Sequence, residues 1–177
     1  MRLYGAGADS GTFDYFTEAI VGKAKAIRTD YQPTEDDNVT IKGVAGDTYA
    51  MGFLGYAYYE ENKDKVKAVA IDHGKGCVLP SRETVLDGTY QPLSRPLFIY
   101  VNVKSLDRPE VQAFVDFYLS PAARRAIRST GYVELPSEAY RIGQELVKRR
   151  KAGTFFMELP AGTPLSKFIQ ELDKELR

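Results

Sequence analysis

The chain has 177 residues, a mean hydropathy of −0.33, and 24 basic against 24 acidic side chains, so it can bury a core but has no net field to recruit nucleic acid or an anionic membrane. Its single cysteine, Cys77, and single histidine, His73, exclude an internal disulfide and multi-ligand zinc sites. No apolar run reaches the length of about 18 residues needed to span a membrane. The opening Met1-Arg2-Leu3-Tyr4-Gly5 lacks the apolar stretch of a secretory signal, so a cytoplasmic location is expected if the sequence is a full translation product.

From Tyr4 to Ser10 the chain is built largely of small residues and leads straight into a predicted amphipathic helix. Phe13, Phe16 and Ile20 share one face of that helix and Gly22 supplies a stop. The register puts Asp9 or Ser10 at the N-cap. A helix start leaves backbone N–H groups unpaired at the positive end of the aligned peptide dipoles, which suits an anion. Ser10 and Thr12 would add hydroxyl donors, and Gly11 would let an anion approach the backbone closely. The alternative is an ordinary cap, in which Ser10 only accepts an N–H from Thr12 or Phe13. Gly5, Gly7 and Gly11 miss the dinucleotide-binding spacing, because Ser10 stands where the third glycine belongs, and no Gly-Lys-Ser/Thr triplet marks a P-loop.

A polar stretch, residues 28–38, follows. Residues 39–44 (Val-Thr-Ile-Lys-Gly-Val) alternate and are rich in β-branched side chains, which predicts a strand. A capped helical turn is expected over 47–51, a buried strand over 52–56, a helix over 58–65 and a strand over 66–71, an alternation that implies an α/β lobe. His73 and Cys77 lie in the glycine-rich segment after it. They make a Cys-His dyad conceivable, but with no evident third orienting group the segment reads as a plain loop. Residues 80–96, with Pro80, Asp87-Gly88, Pro92 and Pro96, read as a connection.

The apolar run 97–103 predicts a strand covered on both faces. Beyond it the pattern turns helical. One helix starts at Pro109, with Val111, Phe114, Val115 and Tyr118 on one stripe, and another starts at Ser120-Pro121. A third covers about 137–152, where Lys148-Arg149-Arg150-Lys151 reads as a solvated helix terminus rather than a nucleic-acid patch. The last starts at Thr163-Pro164 and is expected to bury Leu165, Phe168, Ile169, Leu172 and Leu176. A single strand cannot form a sheet, so the partners of 97–103 are expected from the first half, another chain or missing residues.

Four segments in order carry a resemblance: Gly7-Ala8-Asp9-Ser10-Gly11-Thr12-Phe13-Asp14-Tyr15-Phe16, Glu35-Asp36-Asp37-Asn38-Val39, Gly52-Phe53-Leu54-Gly55-Tyr56-Ala57-Tyr58-Tyr59 and Leu93-Ser94-Arg95-Pro96-Leu97-Phe98-Ile99-Tyr100-Val101. With them the chain resembles, over nearly its whole length, the phosphate-specific substrate-binding proteins of bacterial ABC transporters, of the PstS and SphX type within the type 2 periplasmic binding fold. The resemblance implies two α/β lobes with phosphate clamped between them and delivered to a membrane permease, no cofactor, no catalysis, and a periplasmic or cell-surface location. It divides this chain into a near-complete α/β lobe (1–82), an interlobe crossover (83–96) and the returning, largely helical part of an incomplete second lobe (97–177).

By position, Ser10, Gly11 and Thr12 would donate to phosphate oxygens, with Asp9 beside them. The arginine that precedes this triplet by four residues in some members is Ala6 here. Arg28 is the substitute expected, and Arg95 the weaker candidate, read mainly as a stabiliser of the crossover. The family's opening segment, with further donors and a carboxylate that accepts the proton of phosphate, has no counterpart in this sequence, so a C-terminal portion is expected. Two other readings stay open: a truncated chain acting as an interaction or regulatory fragment, and a phosphoryl-handling enzyme with Ser10 or Thr12 as nucleophile beside Asp9 and Asp14.

Overall fold

The computed structural model describes residues 1–153, 156 and 159–177. β1 (Arg2–Ala6) is the centre of a three-stranded parallel sheet, with β2 (Gln32–Thr34) on one side and β3 (Ala50–Phe53) on the other. Tyr4 stands opposite Gln32 on one edge and Gly52 on the other. Parallel neighbours require crossovers. These are α1 (Gly11–Val21), between β1 and β2, and α2 (Asp37–Ala45), between β2 and β3.

α2 corrects the strand expected over 39–44. Asp36 caps the helix by accepting the N–H of Asn38, and Thr40 and Ile41 are buried by its packing on the sheet. The approach is close: a Cβ at Gly52 would lie 2.9 Å from Thr40 Cγ2 and 3.1 Å from Val44 Cγ2, so β3 meets the helix through a residue without a side chain. The β-branched composition suggested a strand, and the need for a crossover between two parallel strands overrode it. The helical turn expected over 47–51 is instead a turn in which Asp47 accepts the N–H of Tyr49, with β3 starting at Ala50.

α3 (Tyr56–Glu61) replaces the longer helix expected over 58–65. Of the strand expected over 66–71 only Ile71 is paired, in the antiparallel pair β4 (Ile71–Asp72) and β5 (Cys77–Val78). The turn between them is held by the Asp72 carboxylate, which accepts the N–H groups of Gly74 and Gly76, and it carries His73 and Cys77 exposed. α4 (Arg82–Leu86) then opens on a reciprocal cap between Ser81 and Thr84.

Residues 97–103 depart furthest from expectation. Residues 97–102 carry no strand pairing among the described residues, Val103 opens a 3-10 turn that runs to Asp107, and Leu97 and Tyr100 are 59% and 81% exposed. Phe98 stacks on Phe156 with centroids 4.7 Å apart and tilts against Phe168 at 6.1 Å, so this segment packs on the C-terminal helix instead of a sheet.

Four further helices follow: α5 (Pro109–Tyr118), α6 (Pro121–Ser129), α7 (Ser137–Lys148) and α8 (Leu165–Lys174). The first two start with proline at the first helical position, and Ser120 caps α6. Burial falls on narrower faces than the sequence suggests. In α5 Val115 is buried while Phe114 is exposed, in α1 Phe13 and Thr17 are buried while Ile20 is exposed, and α8 has no fully buried residue. The basic end of α7 is an ion-paired terminus: Arg149 faces Glu145, Arg150 reaches Asp107 at 2.7 Å and Lys151 reaches Glu175 at 3.2 Å.

Candidate functional site

The turn from β1 into α1 is fixed at both ends. The Gly7 N–H donates to Thr34 O at the end of β2, and the Ser10 N–H donates back to Gly7 O, each at 3.0 Å. Ser10 has extended backbone angles, φ −92° and ψ 129°, and its Oγ accepts the Thr12 N–H at 3.1 Å, so Ser10 is the N-cap. This bond meets the needs of one early N–H only. Those of Gly11 and Phe13 lie ahead of any helical carbonyl and stay available as donors. The Ser10 hydroxyl also keeps its hydrogen, because in the cap it acts as acceptor. Gly11 is exposed, and Ser10 and Thr12 are half-buried.

The structure brings an arginine to this point, and it is Arg95. A Cβ at Gly11 would lie 3.5 Å from Arg95 Nη2 and 3.9 Å from Nη1, with no other side chain within 4 Å. The Arg95 guanidinium lies over the ring of Tyr15, one turn into α1, at 5.1 Å from its centroid. Tyr15 in turn holds the connection: its hydroxyl is 2.8 Å from Pro92 O and 2.9 Å from Ser94 O, and it accepts the Gly162 N–H at 3.0 Å. Burial pushes the Tyr15 phenol up in pKa, opposed by the Gly162 N–H and the Arg95 charge, so it remains a neutral donor. Ser94 Oγ adds a bond to Tyr90 O at 2.8 Å. Among the described residues no carboxylate pairs with Arg95.

Arg28 stands differently. Its Nε and Nη2 donate to the two carboxylate oxygens of Asp30 at 2.8 and 2.6 Å, and both side chains are largely exposed. Arg28 nevertheless lines the same cleft as Thr12 and Arg95. Asp9 lies exposed in the turn before the cap, where as an acceptor it could take a hydrogen bond only from a protonated phosphate oxygen. Asp14 sits in the first turn of α1 with Lys25 at 4.0 Å. Among the described residues neither Ser10 nor Thr12 hydrogen-bonds to a carboxylate or to His73. No cluster of His, Cys, Asp or Glu among the described residues could hold a metal ion.

Thr12, of the triplet, lines a cleft of about 1780 Å³ together with Tyr15, Phe16, Phe53, Arg95 and Phe98. Phe16 stacks on Phe53 with centroids 4.2 Å apart, giving this end an apolar floor. No helix among the described residues is long and apolar enough to cross a membrane.

The parallel β-α-β unit is that of a substrate-binding-protein-like α/β fold, and the chain belongs to the PBP superfamily, whose domain matches residues 1–122. Among known proteins it is 50% identical over 173 residues to Protein SphX of Synechocystis sp., covering 94% of this chain and 51% of that protein. It is 36% identical over 143 residues to the phosphate-binding protein PstS of Staphylococcus haemolyticus, covering 80% and 44% respectively. In structure it is similar to a possible phosphate binding protein from Planctomyces limnophilus, with a TM-score of 0.69 and 43% identity over 85% of this chain and 54% of that one. The chain spans about half the length of the curated relatives it matches.

Proposed function

We propose that this chain binds inorganic phosphate at the start of α1, as part of the substrate-binding component of an ABC-type phosphate uptake system. The observation that carries the reading is the Ser10-capped helix start, whose Thr12 lines the cleft, in a chain with relatives named phosphate-binding protein PstS. In this reading phosphate oxygens accept from the Ser10 and Thr12 hydroxyls and from the free N–H groups of the first turn, with the helix dipole adding attraction. Residues 1–82 form the lobe that carries the site, residues 83–96 the crossover about which closure occurs, and residues 97–177 the returning part of the second lobe. The working partner is a membrane permease, the location periplasmic or cell-surface, and the role binding without catalysis.

Calorimetry with phosphate and sulfate provides the test. The parent chain is expected to bind phosphate saturably, and Ser10→Ala with Thr12→Ala to weaken it about 100-fold or more, since each hydrogen bond to an anion contributes roughly 1.5–3 kcal/mol. Parent-like binding by the double variant, or phosphoester turnover by the parent, would overturn the reading.

A further inference from the structure

We propose that Arg82, Arg124, Arg125 and Arg128 form a docking surface for an acidic polypeptide segment in which apolar side chains alternate with carboxylates, a role independent of the phosphate reading above. The four line a recess of about 560 Å³ where α4, α6 and the loop before α7 meet. α6 contributes three of them, and Arg124 and Arg128, four residues apart, share one face of that helix. Like charges at that spacing repel each other. The lining supplies a single carboxylate in return, Glu134, and it is fully engaged: Arg82 donates to both of its oxygens, and Arg128 donates to Oε1 at 2.8 Å. Outside the lining, Glu83 also acts on Arg82. Among the described residues Arg124 has only neutral partners, the Ser137 hydroxyl at 2.8 Å and the Tyr140 ring, whose centroid is 5.0 Å away. Arg125 is exposed and makes no ion pair or hydrogen bond among the described residues. In a chain of balanced charge, four arginines against one glutamate leave this recess strongly positive.

The guanidinium groups are both accessible and held. Arg82 and Arg128 are about half-exposed yet fixed on Glu134, and Arg124 is held by Ser137 and Tyr140, so little side-chain freedom is left to lose on docking. Planar forks presented in this way suit carboxylates, which accept them two bonds at a time. Leu86 and Leu135, both half-buried, line the same recess. They give an apolar side chain a surface to cover, which neither a free oxyanion nor a nucleic-acid backbone would use. A nucleic acid would also depend on a long-range field that this chain lacks. The recess shares Leu86, Glu134 and Leu135 with the wall of the large cleft, but none of its four arginines lines that cleft. Docking here therefore uses side chains that a ligand in the cleft does not.

Fluorescence anisotropy with a short labelled peptide of alternating Glu and Leu, measured across salt concentrations, is the test. The parent chain is expected to bind this peptide saturably, more weakly as salt rises, and to ignore the matching peptide of Gln and Leu. Arg124→Gln with Arg125→Gln should weaken binding about tenfold and flatten its salt dependence, because two exposed charge pairs are lost. Arg124→Lys with Arg125→Lys should restore the salt dependence and only part of the affinity, since it returns the charge but not the fork. Arg125→Gln alone disturbs no polar contact of the fold and should weaken binding about threefold, which keeps the test decisive if the double variant melts early. Lys104→Gln with Lys148→Gln removes the same charge outside the recess and should bind like the parent. An equal loss in that control, or no binding by the parent, would overturn the proposal. So would displacement of the peptide by inorganic phosphate or by a single-stranded oligonucleotide, which would assign the recess to phosphoryl oxygens. Self-association at low salt that the Arg124 and Arg125 variants abolish would assign it to a second copy of the chain instead.

Discussion

Ile142→Ala is expected to be among the most destabilising single truncations in this chain, lowering the unfolding free energy by about 3 kcal/mol. Ile142 is 0% exposed and is the largest of the fully buried side chains. It lies on α7 between Ala139 and Leu146, at spacings of three and four residues, so the three form the buried stripe of that helix. The stripe is covered from two directions. α7 packs along α8, and a Cβ at Gly143 would lie 3.7 Å from Leu119, just past the end of α5, whose carbonyl accepts from Gln144 Nε2 at 3.1 Å. Elements held on both sides cannot collapse into a void, so the cavity term adds to the lost transfer energy. Urea unfolding followed by circular dichroism is the measurement, with Ile142→Val as the graded control at about 1 kcal/mol. A loss below about 0.5 kcal/mol for alanine would mean that α7 is not anchored through this residue.

The local chemistry of the site could be read from the sequence. Ser10, Gly11 and Thr12 declare a capped helix start through short-range bonds alone, and the structure places the cap on Ser10. The same holds for the proline starts of α5 and α6. The parts decided at long range were hidden. Residues 39–44 have strand-like composition but form a helix because β2 and β3 are parallel and need a crossover between them. Residues 97–103 are apolar enough for a strand, yet strand formation requires a pairing partner, which composition cannot supply. Arg95 reaches Gly11 only because Tyr15 binds the connection, a contact with no signature in either segment. The pairing of Arg28 was legible: Asp30, two residues on, is the partner that takes its guanidinium. The family became legible through four ordered segments, since each of them taken separately fits several folds.

Glu134→Gln is expected to lower stability by about 2 kcal/mol at pH 7 and by almost nothing at pH 2. Glu134, in the loop between α6 and α7, is 7% exposed and lies between two arginines from different elements. Arg82, the first residue of α4, donates through Nη2 to Oε1 and through Nε to Oε2, and Arg128, near the end of α6, donates to Oε1 at 2.8 Å. Arg82 above all, and then Arg128, hold the carboxyl down at about 2 against the opposing effect of burial. A folded pKa below the ordinary 4.5 means the ionised form is favoured by folding, so the stabilisation is complete above about pH 5 and is lost as pH falls from 4.5 towards 2. The shift alone would correspond to about 3 kcal/mol, and screening of two half-exposed arginines reduces this to about 2. Other carboxylates are also held below their ordinary values, Asp87 by Thr89 and Glu110 by its own backbone N–H and Arg108, so the informative quantity is the difference between parent and variant across pH. That difference should be constant from pH 7 to about 5.5 and close below 3. A gap that persists unchanged at pH 2.5 would show that the glutamine acts through packing, and would remove the charge from the strut joining α4 to the loop that leads into α7.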